Sequence, residues 1–170
     1  MLLYHGSNLE IITVNLAKCR PFKDFGRGFY LTTIETQAEQ MARRTSRIFS
    51  DKPWVTAFEF DEESLSVDAV NIKIFEMPSI DWVIFVLNNR NRNFVDFADN
   101  NSNHDNKYDI VIGPVANDDI ALQFRLFTSG VIDADALVKG MKYRKLNDQY
   151  SFHTEKALLY LTKTGARSYE

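Results

Sequence analysis

The sequence predicts an α+β fold, a β-sheet with flanking helices in a single domain over residues 1–170. Three observations lead there. Strand-like and helix-like segments mix without the strict alternation that builds a doubly wound parallel sheet. A length of 170 residues suits one domain. Hydrophobic residues at 45%, with 13 Phe, supply a sizeable core, while charged residues at 25% and a net charge of −3 argue against disorder.

The same composition excludes several classes. A mildly acidic chain gives no support for generic nucleic-acid binding, which shows as a basic balance, although a nucleic-acid acceptor stays open. The lone Cys19 excludes an internal disulfide framework and fits a reducing, cytoplasmic compartment. No run reaches the ~18 apolar residues of a membrane helix, so no membrane partner is expected. The N-terminal Met1-Leu2-Leu3-Tyr4-His5-Gly6-Ser7 lacks the charged and apolar regions of a signal peptide.

In chain order, Leu2 to His5 reads as a strand halted by Gly6-Ser7-Asn8. A strand end followed by glycine exposes backbone N–H and C=O groups. Residues 9–23 read as an irregular loop, with Arg20-Pro21 stopping any helix. The stretch from Asp24 to Thr33 organises the rest. Gly26 and Gly28 flank Arg27 in a tight turn, and a short strand follows. On that strand Phe29 and Leu31 point to a core, and Tyr30 points the other way with Gly28 and Thr32. Tyr30 beside Gly28 then offers a flat aromatic surface with space next to it. An ordinary half-buried tyrosine after a turn is the bland reading of this segment alone.

Thr32 and Glu35 have capping-box spacing for a helix whose apolar face is Ile34, Ala38, Met41, Ala42 and Ile48. Arg43, Arg44 and Arg47 read as its solvated face. Trp54–Phe60 and Val70–Phe75 read as strands. Pro78 fits the first turn of a helix, and Ile80–Leu87 is apolar nearly all round, which predicts burial. The polar run Asn88–Asn93 is expected to be exposed, and His104 solvated in a polar loop. Tyr108–Val115 reads as a buried strand, followed by helices over 120–127 and 134–141. Gln149–His153 reads as the final strand, with Thr154 capping a last helix that carries Ala157, Leu158 and Leu161. No His/Cys/Asp/Glu spacing suggests a metal site.

Taken together, the motifs resemble the ADP-ribosyltransferase superfamily, in its diphtheria-toxin and poly-ADP-ribose-polymerase branch with a His-Tyr-Glu triad. His5-Gly6-Ser7 resembles that branch's His-Gly-Ser/Thr element. Gly28-Phe29-Tyr30-Leu31 resembles its Gly-[IV]-Tyr-Phe element, and Asn147-Asp148-Gln149-Tyr150-Ser151-Phe152 its glutamate-bearing element. The three stand in the family's order across almost the whole chain. The run from Tyr4 through Asp24-Phe25-Gly26 to Gln37-Ala38 is further similar to a small, uncharacterised bacterial family within that superfamily.

The resemblance implies a split β-sheet with NAD as co-substrate in the cleft between two half-sheets. It implies His5 on the adenosine ribose, the Gly6 backbone on the nicotinamide carboxamide, Ser7 supporting that amide, and Tyr30 stacked on the nicotinamide beside Gly28. Arg27 is placed to reach the pyrophosphate, by chain position and not by a family motif. The catalytic set is then His5, Tyr30 and Gln149.

Gln149 departs from the family, since it stands where the glutamate is expected and lacks its charge. The adjacent Asp148 points to the other strand face. Restoring the carboxylate with Gln149→Glu is therefore expected to raise NAD cleavage. The expected activity is transfer of single ADP-ribose units to an unknown macromolecular acceptor. The resemblance also allows a toxin with an antitoxin-like protein partner. The alternative is a catalytically silent NAD- or nucleotide-binding or interaction module. His153, about 13 Å along the strand from Gln149, is expected to make a hydrogen bond near the helix start.

Overall fold

A computed structural model describes residues 1–66, 68–96, 100–116, 118–142 and 147–169. Seven strands form one sheet: β1 Leu2–Ser7, β2 Phe29–Thr32, β3 Trp54–Phe60, β4 Ile72–Ile74, β5 Ile110–Pro114, β6 Asp148–Phe152 and β7 Leu161–Ser168. Among the described residues there are five α-helices: α1 Glu35–Phe49, α2 Ile80–Arg90, α3 Asp118–Thr128, α4 Ala134–Lys142 and α5 Glu155–Leu158. The strand order is β4-β5-β6-β2-β1-β3-β7. Only β4 and β5 run parallel; the other neighbours are antiparallel. The fold is thus mixed α+β.

Strand alternation sorts the side chains onto two faces. One face carries Leu3, Phe29, Leu31, Phe58, Phe60, Ile110, Ile112 and Phe152, covered by Ala157 of α5 and by Ile11, Val14 and Leu16 of the long first loop. The other packs Val111 and Tyr30 against Trp82, Val83, Phe85 and Val86 of α2, Ile120 and Phe124 of α3, and Leu137 and Met141 of α4. Helix α1 lies on this second face over Tyr4 and Val55, through Ala38 and Ala42.

One join in the sheet is weak. β1 and β2 share a single pair, Tyr4 with Thr32. β1 and β3 share six pairs, and β2 and β6 share four. Beyond Tyr4 the two strands separate. The sheet is therefore continuous in order, but it opens at one seam between Gly6 and Tyr30.

Several local expectations change. The Thr32–Glu35 capping box does not form, because Thr32 is still inside β2. The cap position is Ile34, with no side-chain cap bond. The Thr32 hydroxyl instead accepts from the Ile34 N–H at 3.2 Å and donates to Gln37 Oε1 at 2.6 Å. Met41 and Ile48 are 48% and 66% exposed, since the buried stripe of α1 is the small-residue row Ala38, Ala42 and Ser46. Pro78 precedes α2, whose cap is Ser79, accepting from the Trp82 N–H at 3.2 Å.

The segment 88–93 is not wholly exposed. Asn89 is buried and receives the Asn103 N–H at 2.8 Å. His104 is part-buried, bonded to the Asn88 carbonyl and stacked on Phe94. After β6, α5 is one short turn, and Leu161 opens β7 rather than extending a helix. The alternating, threonine-containing Leu161-Thr162-Lys163-Thr164 carried that strand signal.

Candidate functional site

A cavity of about 670 Å³ sits at the seam, within the roughly 300–1,000 Å³ typical of small-molecule sites. β1 from Tyr4 to Ser7, and Gly28 with all of β2, line it. The loop 9–20 closes one side, α1 closes another through Gln37, Ala38 and Met41, and Gln149 enters from β6. His5, Gly6, Ser7, Gly28, Tyr30 and Gln149, far apart in sequence, thus share one cavity.

The backbone at Gly6 follows from the ladder. The Phe60 N–H donates to the Met1 carbonyl at 2.7 Å, which directs the backbone polar groups of odd residues in β1 toward β3. Those of Tyr4 and Gly6 then face β2. Tyr4 finds Thr32, but the pairing stops there. Tyr30 would stand opposite Gly6 in register, and no such pair forms. The Gly6 N–H and C=O therefore face the gap without a ladder partner.

Gly6 is also the only residue type that fits. A Cβ there would lie 1.8 Å from the Ala38 carbonyl oxygen and 2.9 Å from the Ala42 nitrogen. The absence of a side chain lets α1 cross β1 closely and leaves the backbone bare.

His5 bridges the gap. Its Nδ1 lies 2.7 Å from the Tyr30 carbonyl oxygen, so Nδ1 carries the proton. The ring packs on Phe29 with centroids 4.4 Å apart. Burial lowers its pKa, with the Lys23 charge adding to the effect and the Tyr30 carbonyl opposing it. The neutral ring keeps an unprotonated Nε2, an acceptor in the cavity wall.

Tyr30 is fixed at its far end. Its hydroxyl donates to the Gly26 carbonyl at 2.7 Å and accepts the Phe25 N–H at 3.0 Å. Burial, reinforced by the Asp24 charge, raises its pKa well above 10. The space expected beside Gly28 is not empty. A Cβ on Gly28 would meet His153 Nδ1 at 2.6 Å, because the imidazole fills that place. His153 is buried, bonded to the Arg27 carbonyl at 2.8 Å and to Ser151 Oγ at 2.8 Å. Burial lowers its pKa to about 4. Its role is to hold the turn. The ammonium of Lys23 lies over the Tyr30 ring, 5.9 Å from the centroid.

Two further assignments are altered by the geometry. Ser7 Oγ donates to the Leu9 carbonyl, so its proton ties down the loop rather than supporting a ligand amide. Arg27 does not line the cavity; its Nη1 donates to the Ala17 carbonyl at 3.2 Å and clasps the loop from outside. Arg90, in the run read as an exposed helix end, turns inward instead, where Nε and Nη2 donate to Asp24 Oδ1 at 2.9 and 2.7 Å.

Sequence reading missed Asp24 altogether. It is buried, 9% exposed, and its Oδ2 accepts from Gln149 Nε2 at 2.9 Å and from the Ala116 N–H at 3.2 Å. Nothing near Asp24 in sequence points to Gln149, which lies 125 positions away. The one local hint was an acid placed immediately before the Phe25-Gly26 turn. Among the described residues, no group of three His, Cys, Asp or Glu is placed to hold a metal ion. No described helix is long and apolar enough to cross a membrane.

No curated protein and no solved structure matches the chain. A family model described as "Protein of unknown function (DUF3990)" matches residues 1–162, nearly the whole chain, and the protein belongs to that family.

Proposed function

We propose that the protein is an NAD-dependent mono-ADP-ribosyltransferase acting at the seam cavity. The observation that carries the reading is the Gly6 backbone, whose N–H and C=O face a gap lined by His5, Tyr30 and Gln149. A carboxamide has one donor and one acceptor side by side, which complements such a strand edge. The Tyr30 ring offers a planar contact to the nicotinamide once the Lys23 side chain swings away. His5 Nε2 accepts a hydrogen bond from a ribose hydroxyl. In the reaction the nicotinamide–ribose bond breaks, and its electron pair leaves with neutral nicotinamide. The ribose carbon forms a new bond to an acceptor nucleophile, which loses a proton. Groups that accept hydrogen bonds from the ribose hydroxyls favour the positive charge that builds on the sugar.

The acceptor is read as a macromolecule. Leu9, Ile12 and Phe49 line the cavity and remain 53%, 69% and 50% exposed, an apolar rim suited to contact with a larger partner. The test is nicotinamide release from NAD, followed by transfer of labelled ADP-ribose into a cell lysate, alongside calorimetry with NAD. Tyr30→Ala is expected to weaken NAD binding by about 1.5–3 kcal/mol, the scale of burying an aromatic ring. Bound NAD with neither release nor transfer would leave a silent NAD-binding module. No binding at millimolar NAD would end both readings.

A further inference from the structure

We propose that Asp24 is the positioning residue that turns Gln149 into an acceptor-only group, with its amide oxygen facing the cavity and ready to take a ligand hydroxyl. The ligand's identity as NAD rests on the function proposed above; the orientation of Gln149 does not.

Gln149 Nε2 has two acceptors around it, Asp24 Oδ2 at 2.9 Å and the Pro114 carbonyl at 3.4 Å. An amide oxygen in that place would meet two oxygens and no donor, so the chemistry fixes which end is nitrogen. Asp24 cannot turn away. Arg90 holds its other oxygen through two nitrogens, and the Ala116 N–H holds the same oxygen that Gln149 uses. Gln149 lines the cavity and its Oε1 has no partner among the described residues, which leaves that oxygen as the end available to a ligand. A free glutamine presents donor and acceptor equally. This one presents an acceptor, backed by a carboxylate that polarises the amide through its N–H. The hydroxyl contact thus falls to Gln149 and the fixing of its orientation to Asp24, whose own charge is paired with Arg90.

The same geometry reverses the simple expectation for Gln149→Glu. A carboxylate there would face Asp24 Oδ2 across about the same gap, and like charges at that range are unfavourable. Gln149→Glu alone should weaken the site. Paired with Asp24→Asn, it should recover in part, because the new amide N–H can donate to the new carboxylate and Arg90 keeps its acceptor, while the Ala116 N–H loses its own.

The experiment has two arms. In the first, without ligand, the side-chain amide protons of Gln149 in the wild type are followed by NMR against those of the exposed Gln40. They are expected to exchange with solvent about tenfold more slowly and to shift in Asp24→Asn, as one lost hydrogen bond would give. Exchange as fast as Gln40, or unshifted resonances in a folded Asp24→Asn, would overturn the proposal. In the second arm, NAD affinity is measured for the wild type, both single variants and the double variant. Each single is expected to lose about tenfold, and the double to lose no more than about tenfold rather than the roughly hundredfold of the two losses combined. A double variant as weak as the two losses combined would overturn it. If the amide arm holds while wild type binds no NAD, Asp24 keeps its role and the proposed function fails alone.

Discussion

The two walls of the seam cavity are built differently. On the β2–β6 wall, the polar ends that turn away from the cavity are anchored in the interior. The Tyr30 hydroxyl is held by Phe25 and Gly26, the Gln149 nitrogen by Asp24 and Pro114, and Asp24 by Arg90. Behind them stand Trp82, Phe85 and Phe124. The facing wall is the end of β1 and the loop that leaves it. That loop has no strand partner; Ile11, Val14 and Leu16 pack on the core, and its polar ties are scattered: Ser7 to Leu9, the Ile11 N–H to Thr56 Oγ1 at 3.2 Å, Glu10 to Lys163 at 2.6 Å, and Arg27 to Ala17. Orientation of reacting groups needs the first kind of wall, and admission of ligands of different shape needs the second. The contrast teaches where variants will act on stability and where they will act on binding.

The largest effect is expected where the two walls meet. Gly6→Ala places a methyl 1.8 Å from a backbone oxygen of α1. That oxygen belongs to a helix and not to a flexible side-chain end, so β1 or α1 must move. Overpacking of this kind costs about 1–3 kcal/mol, and more where backbone is displaced. Urea denaturation should put Gly6→Ala at or above the top of that range. A loss under about 1 kcal/mol would mean that α1 slides freely over β1 and that the β1 wall is softer still.

The next effect concerns acid. His153 is buried neutral with a pKa of about 4, against 6.5 when unfolded. Between those values the unfolded chain binds the extra proton, so stability rises with pH across the window. The contribution is present in full above about pH 6.5 and is lost as pH falls toward 4. Its size is on the order of 3 kcal/mol. The lowered pKa of His5 acts in the same direction. Urea midpoints measured from pH 7 down to pH 4.5 should fall for wild type and fall less steeply for His153→Gln. Parallel curves would remove His153 from the anchored wall.

A smaller loss tests the anchoring of Tyr30 itself. Tyr30→Phe keeps the ring and strands the buried Phe25 N–H and Gly26 carbonyl. One unsatisfied buried group costs about 1–3 kcal/mol. Stability should drop by that amount while NAD affinity changes much less than in Tyr30→Ala. If affinity falls and stability holds, the hydroxyl serves the ligand and not the wall.

The unequal legibility of the two walls has a physical cause. Local pattern exposed the strands, because alternation and β-branched runs are written into neighbouring residues. Trp54–Phe60 is the clearest case, matching β3 end to end. Pattern alone did not bring His5, Gly6, Tyr30 and Gln149 to one site; that expectation comes from the resemblance of their three short motifs to a known family, and the four do line one cavity. Pattern could not show what those side chains touch. Gln149 reads as a polar residue in a strand until Asp24 is placed against it, and Gly28 reads as open space until His153 fills it. Both partners are long-range in sequence. β7 is hidden for a different reason: Ala157-Leu158 and Leu161 mimic helical spacing, although α5 ends at Leu158 and β7 begins at Leu161.

The smallest stability effect belongs to the loop wall, and there the comparison can fail most clearly. Ile12 lines the cavity yet is 69% exposed. Ile12→Ser removes little that the folded chain has buried, so stability should stay within about 0.5 kcal/mol of wild type. A ligand or acceptor that spans the rim would cover Ile12, and losing that apolar contact should weaken binding or raise KM by about threefold, a fraction of a full side-chain burial. The two measurements, urea midpoint and NAD or acceptor affinity, must therefore separate for Ile12→Ser and run the other way for Tyr30→Phe. If Ile12→Ser instead lowers the urea midpoint as far as Tyr30→Phe does, the loop is packed as firmly as the β2–β6 wall. The cavity would then have two rigid sides, and access to it would require opening of the fold itself rather than movement of residues 9–15.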